Sequence, residues 1–106
     1  MTMETIEVKV IDEQPVKFQG RLVARTDNNV IELYETQKGH WVVVHRLYTM
    51  KRQGGREIRI FSGYAREMKI IENKDIDLLS KHIGYCADLE QLCQDLGIEY
   101  AKKLDL

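Results

Sequence analysis

Ile70-Ile71-Glu72-Asn73-Lys74-Asp75-Ile76-Asp77-Leu78-Leu79-Ser80-Lys81-His82-Ile83-Gly84 is the stretch in which the chain changes its hydrophobic period. Before it, apolar residues recur at every second position, the repeat of a strand. After it, Ile76, Leu79 and Ile83, with Leu78 beside them, recur every three or four, the repeat of one helix face. Asn73 or Asp75 supplies an N-cap, and Gly84 stands where a helix stops in a left-handed residue. A second amphipathic segment places Leu89, Leu92, Cys93 and Leu96 on one face and closes at Gly97, and Ile98 to Leu104 adds a further turn or two. A run of strands followed by a run of helices predicts an α+β fold. The expectation is an antiparallel five-stranded β-meander followed by two short C-terminal helices packed on one face.

Working back from that switch, five segments alternate as strands do. In Ile6–Ile11, Ile6, Val8 and Val10 oppose Glu7 and Lys9, and Gln14-Pro15 ends the run because proline removes a ladder donor. From Val16 onward, Val16, Phe18, Leu22 and Ala24 share one face against Lys17, Gln19, Arg21 and Arg25, with Gly20 a candidate bulge. Asp27-Asn28-Asn29 tolerates the backbone angles of a reversal. Val30–Thr36 sets Ile31 and Leu33 against Glu32 and Tyr34, and Gln37-Lys38-Gly39 turns the chain into Trp41–Met50. There Trp41-Val42-Val43-Val44 is apolar on both faces, the mark of a central or doubly covered strand. Lys51–Arg56 reads as a flexible basic loop and Glu57–Arg66 as the fifth strand.

The chain has 106 residues, enough for a single domain spanning 1–106, and its 43% hydrophobic and 31% charged residues are those of a chain that folds. The start Met1-Thr2-Met3-Glu4-Thr5 lacks the basic and apolar blocks of a signal peptide, and no eighteen-residue apolar run occurs, so a cytoplasmic protein without a membrane span is expected. Cys86 and Cys93 are too few and too close together for a disulfide framework and read as reduced core thiols. The net charge of −1 is unevenly spread. Residues 45–71 carry Arg46, Lys51, Arg52, Arg56, Arg59, Arg66 and Lys69 against Glu57 and Glu67, a balance of +5. Residues 72–106 carry four basic and eight acidic residues, a balance of −4.

Catalytic and cofactor signatures are absent from the sequence. It contains neither a P-loop nor a G-x-G-x-x-G, and Gly54-Gly55 lies between strands rather than before a helix, so no cofactor is expected. Ser62 lacks the glycine that precedes a nucleophile elbow. Asp75/Asp77 and Asp88/Glu90 fall in helical first turns, where they favour the helix dipole. His40 and His45 point to opposite faces and His82 has no partner at a metal-binding spacing, so no metal site is expected either.

Two binding readings compete, and a third trails them. Trp41, Val43 and Leu47 facing the helices would leave Val42, Val44 and Tyr48, near Tyr34, as an apolar interface for a protein partner or a homodimer, unless Ile98–Leu106 covers it. This reading makes the protein a non-enzymatic binding or regulatory domain. The alternative is a nucleic-acid-binding module using Arg46, Lys51, Arg52, Arg56 and Arg59, with Tyr48 and Phe61 available for stacking. The third is an enzyme or ligand pocket near Tyr34, His45 and Tyr48. Glu32–Val42 resembles a strand-turn-strand signature of small bacterial proteins, and that resemblance covers about a tenth of the chain and implies no activity.

Overall fold

The computed structural model describes residues 3–101 and 104–105. Five strands, β1 (Glu4–Val8), β2 (Val16–Arg25), β3 (Ile31–Thr36), β4 (Trp41–Gln53) and β5 (Arg56–Ile71), form one sheet in chain order, each antiparallel to the next. A single 3₁₀ turn, Glu72–Lys74, leads into α1 (Ile76–Ile83) and α2 (Ala87–Leu96). The α+β meander with its two terminal helices is therefore as the hydrophobic period predicts. Ile98 to Ala101 does not continue the helices, and Lys102 and Lys103 of that expected extra turn lie outside the described residues.

Both faces of the sheet are covered, which explains the apolar run in β4. On one face Leu79 of α1 and Leu89, Leu92 and Cys93 of α2 pack against Ala24, Ile31, Leu33, Trp41, Val43 and Ile71. Burying a leucine of this kind contributes about 1.5–3 kcal/mol relative to leaving it in water. On the other face Val8, Val10, Tyr34, Val42, Val44 and Ala65 form a second cluster, flanked by Ile6, Val16, Phe18 and Met68. The chain reaches this face by curling. After β1, Val10 bridges Ala65 of β5, with Ala65 N–H donating to the Lys9 carbonyl at 2.8 Å and Ile11 N–H donating to the Ala65 carbonyl at 3.0 Å. The first and last strands are thus tied together and enclose the inner cluster like a half-closed barrel.

Irregularities in two strands make this possible. In β2 the register slips between Leu22 and Ala24, so Val16 and Phe18 serve the inner cluster while Ala24 serves the helical one. The uniform face expected for Val16, Phe18, Leu22 and Ala24 is broken there, because one extra residue reverses the side of everything after it. The bulge is not at Gly20, which is instead a point of close strand approach: a Cβ at this position would stand 2.6 Å from the Glu35 carbonyl oxygen. In β5 the register shifts around Ala65, where Arg46 pairs with Ala65 and Tyr48 with Phe61, and Gly63 takes φ +88° in the extra segment. A bulge bends its strand, and this one turns Ala65 toward Val10.

The turns and caps follow side-chain chemistry. Between β2 and β3, Asn28 Oδ1 accepts from Val30 N–H at 3.0 Å and from the Thr26 hydroxyl at 2.6 Å, while Asn29 takes φ 61°. Of the two candidate caps for α1, Asp75 serves: its Oδ1 accepts from Asp77 N–H at 2.9 Å. Asn73, at φ 56°, donates its N–H to His40 Nδ1 at 3.0 Å. Gly97 ends α2 in the left-handed region, at φ 72° and ψ 24°. Cys93 is a core thiol, raised in pKa by burial, but Cys86 is exposed at the start of α2 and does not join it.

Candidate binding surface

Beyond the body of the sheet, β4 and β5 continue as a two-stranded arm. Pairing of β3 with β4 stops at Ile31 and His45, whereas β4 and β5 remain paired from Tyr48–Phe61 out to Gln53–Arg56. Six residues per strand at about 3.4 Å each give a projection of about 20 Å, in keeping with a long axis of 50 Å for the whole molecule. The tip is a two-residue turn, Gly54-Gly55, with φ of 59° and 79°. Positive φ at both positions matches the right-handed twist of a hairpin and is open to glycine at little steric cost. The Lys51–Arg56 segment is therefore strand and tight turn rather than the flexible loop expected, because the Gly-Gly pair lets the ladder run to its end.

Cross-strand pairing decides which side chains share a face of the arm. Tyr48/Phe61, Met50/Arg59 and Arg52/Glu57 lie on one side, and Thr49/Ile60, Lys51/Ile58 and Gln53/Arg56 on the other. Met50, Ile60, Phe61 and, at its base, Tyr64 are exposed by 50%, 44%, 39% and 47% of their surface. Apolar side chains thus meet solvent on both faces. The Arg59 guanidinium lies 5.3 Å from the centre of the Tyr48 ring, whose edge is tilted toward Phe61 at 5.8 Å. Among the described residues, none of Lys51, Arg52, Arg56 and Arg59 has a carboxylate within ion-pair distance.

Arg46 does not belong with those four cations. It sits at the base of the arm and donates from Nε to Glu32, which also receives Arg25 Nη2 at 2.8 Å and the Tyr34 hydroxyl at 3.3 Å. Glu32 is buried because the curl covers its face, and Arg25 directly opposite and Arg46 two residues along β4 neutralise it. Burial, the adjacent Glu32 charge following it, holds the Tyr34 phenol above its ordinary pKa. The expected apolar interface also falls apart as a surface. Tyr34, Val42 and Val44 are 7%, 3% and 0% exposed, covered by Val8, Val10 and Phe18 from the N-terminal strands rather than by the C-terminal segment. Tyr48 alone of that group is on the arm.

The expected pocket near Tyr34, His45 and Tyr48 does not form, since Tyr34 lies in the inner cluster and His45 on the helical side. Tyr48 instead lines a cleft of about 290 Å³ at the arm's base with Val30, Arg46, Leu47 and Arg66. A larger, almost wholly apolar groove of about 380 Å³ opens along Val16, Phe18, Val42, Met68 and Ile70, with Lys17, Lys38 and His40 among its other lining residues.

Sequence spacing gives no sign of one further constellation. His45 of β4 and His82 of α1 stand edge to face, their ring centres 5.3 Å apart, with Glu67 of β5 beside both. His45 pairs directly with Glu67 across the strands, and α1 carries His82 over that pair. Burial lowers the His45 pKa below its ordinary 6.5, outweighing the opposing Glu67 charge. His45 Nε2 is buried and has no hydrogen-bond partner among the described residues. Comparisons with protein-family models, curated proteins and solved structures return no match for this chain.

Proposed function

We propose that the protein is a non-enzymatic binding domain whose working surface is the β4–β5 arm, and that the arm mediates association with a protein surface, a second copy of this chain first among them. One observation carries this reading: a two-stranded ribbon extends from the body with Met50, Ile60 and Phe61 exposed on its two faces. An isolated hairpin of two strands is marginal in water, so an apolar one gains most from a partner that covers it. Charge supports self-association, since the arm belongs to the +5 segment and the C-terminal helices to the −4 segment of the same chain.

The test is the oligomeric state by sedimentation equilibrium from about 1 to 300 µM. Wild type should associate, more weakly at high salt, and the double variant Ile60→Lys, Phe61→Lys should stay monomeric with an unchanged far-UV spectrum. A monomeric wild type across that range would remove the self-association reading.

The four unpaired cations favour a second reading, nucleic-acid binding, because a two-stranded ribbon fits the DNA major groove and Lys or Arg neutralise phosphates. Fluorescence anisotropy with labelled single-stranded DNA, duplex DNA and RNA at about 50 and 200 mM salt tests it. Binding that falls steeply with salt and is lost in Arg52→Glu, Arg56→Glu would move the arm's assignment to nucleic acid. Absence of binding at the lower salt would leave those charges as protection of a free strand edge.

A further inference from the structure

We propose that His45, Glu67 and His82 bind a divalent transition-metal ion of the zinc class, joining α1 to strands β4 and β5. The geometry brings three ligand atoms close together. Glu67 Oε1 lies 3.6 Å from His45 Nε2 and 3.7 Å from His82 Nε2, and one ligand atom from each of the three residues falls within 4.8 Å of the other two. Both nitrogen-to-oxygen distances exceed a hydrogen bond, which closes at about 2.7–3.2 Å. Bonds of about 2.0–2.2 Å to a tetrahedral zinc put ligand atoms about 3.2–3.6 Å apart, so side-chain movements of up to about an ångström complete the site.

The two imidazole nitrogens supply the second, independent observation. Nε2 of His45 and Nε2 of His82 are both shut off from solvent, and neither has a hydrogen-bond partner among the described residues. A buried nitrogen left unpaired is costly, and two of them flanking the same carboxylate oxygen share one remedy. His45 as a whole is only 9% exposed, so water does not reach its ring nitrogen in place of a ligand.

The donor set selects the ion. Two imidazoles and one carboxylate suit zinc and its neighbours, whereas magnesium and calcium favour oxygen ligands throughout. Three protein ligands leave a fourth position open. Because the ligands come from β4, β5 and α1, an occupied site fastens the helix to the sheet.

The test uses the full chain stripped of metal with EDTA and titrated with zinc chloride by calorimetry, with magnesium chloride as the control. One equivalent of zinc should bind with Kd below about 10 µM, magnesium should give no heat, and zinc should raise Tm. His82→Ala and Glu67→Gln should each weaken zinc binding at least tenfold, while Cys86→Ser should leave it unchanged. Imidazole nitrogen signals in wild type keep the proposal testable even if a variant misfolds: zinc should move those of His45 and His82 and spare His40. No binding at about 100 µM zinc, wild-type affinity in His82→Ala and Glu67→Gln, or loss confined to Cys86→Ser would each overturn the site.

Discussion

Replacing Gly20 with alanine sets two physical effects against each other, and the structure decides the sign. Glycine inside a strand has more freedom to lose on folding, so backbone entropy alone makes Gly20→Ala stabilising by about 0.5–1 kcal/mol. The added methyl, however, would stand 2.6 Å from the Glu35 carbonyl oxygen and 2.9 Å from Phe18 Cε2. The ring can swing, but the carbonyl belongs to β3, and the two strands are held by pairs at Gly20–Thr36 and Arg21–Glu35. Relieving the contact means moving backbone by several tenths of an ångström, a form of overpacking that costs about 1–3 kcal/mol. The net is a loss of about 1–2 kcal/mol, a fall in Tm of about 5–10 °C for a domain of this size. Differential scanning calorimetry of wild type and Gly20→Ala at neutral pH measures it. A Tm equal to or above that of wild type would show that β2 and β3 do not approach as closely as described.

Two further predictions concern the junction between sheet and helices. Asp75→Ala should destabilise the fold by about 1 kcal/mol through loss of the α1 cap, and Asp75→Asn should recover most of it in urea denaturation. Glu35 accepts from Lys74 at 2.6 Å and Arg21 at 3.1 Å, the Lys74 bond being the larger cause of a carboxyl pKa lowered from 4.5. A lowered folded pKa means that this stabilisation is full above about pH 4.5 and is lost as pH falls through the folded value. The urea midpoints of wild type and Glu35→Gln should therefore differ most near neutrality and converge in acid, and a constant gap would refute the pairing.

Much of the fold is written in local periodicity, and what periodicity misses is long-range. The switch after Ile71, the five alternating strands and the Asp75 and Gly97 helix ends depend on neighbours in sequence. The two-sided apolar run of β4 correctly signals a doubly covered strand. The identity of the second cover is not local, since Val10 meets Ala65 only because bulges in β2 and β5 reaim whole strands. For the same reason Tyr34, Val42 and Val44 read as an open interface when they are core, and Arg46 reads as a free cation when it neutralises Glu32. The cluster of the arm's cations is legible as composition, but their places are not, since Lys51–Arg56 reads as a loop where the ladder in fact runs on to the Gly54-Gly55 turn. His45, Glu67 and His82 are not, since three elements must assemble before they meet.

The tie between Val10 and Ala65 also has a kinetic consequence. The β4–β5 hairpin closes through a two-residue turn and can form early, whereas the Val10–Ala65 bridge joins segments far apart in the chain and carries a large loop-closure entropy. Until the N-terminal segment arrives, Val42, Val44 and Tyr34 face water on a ready-paired sheet. A chain that has not closed this bridge would expose that apolar face, the kind of surface through which refolding chains stick to one another.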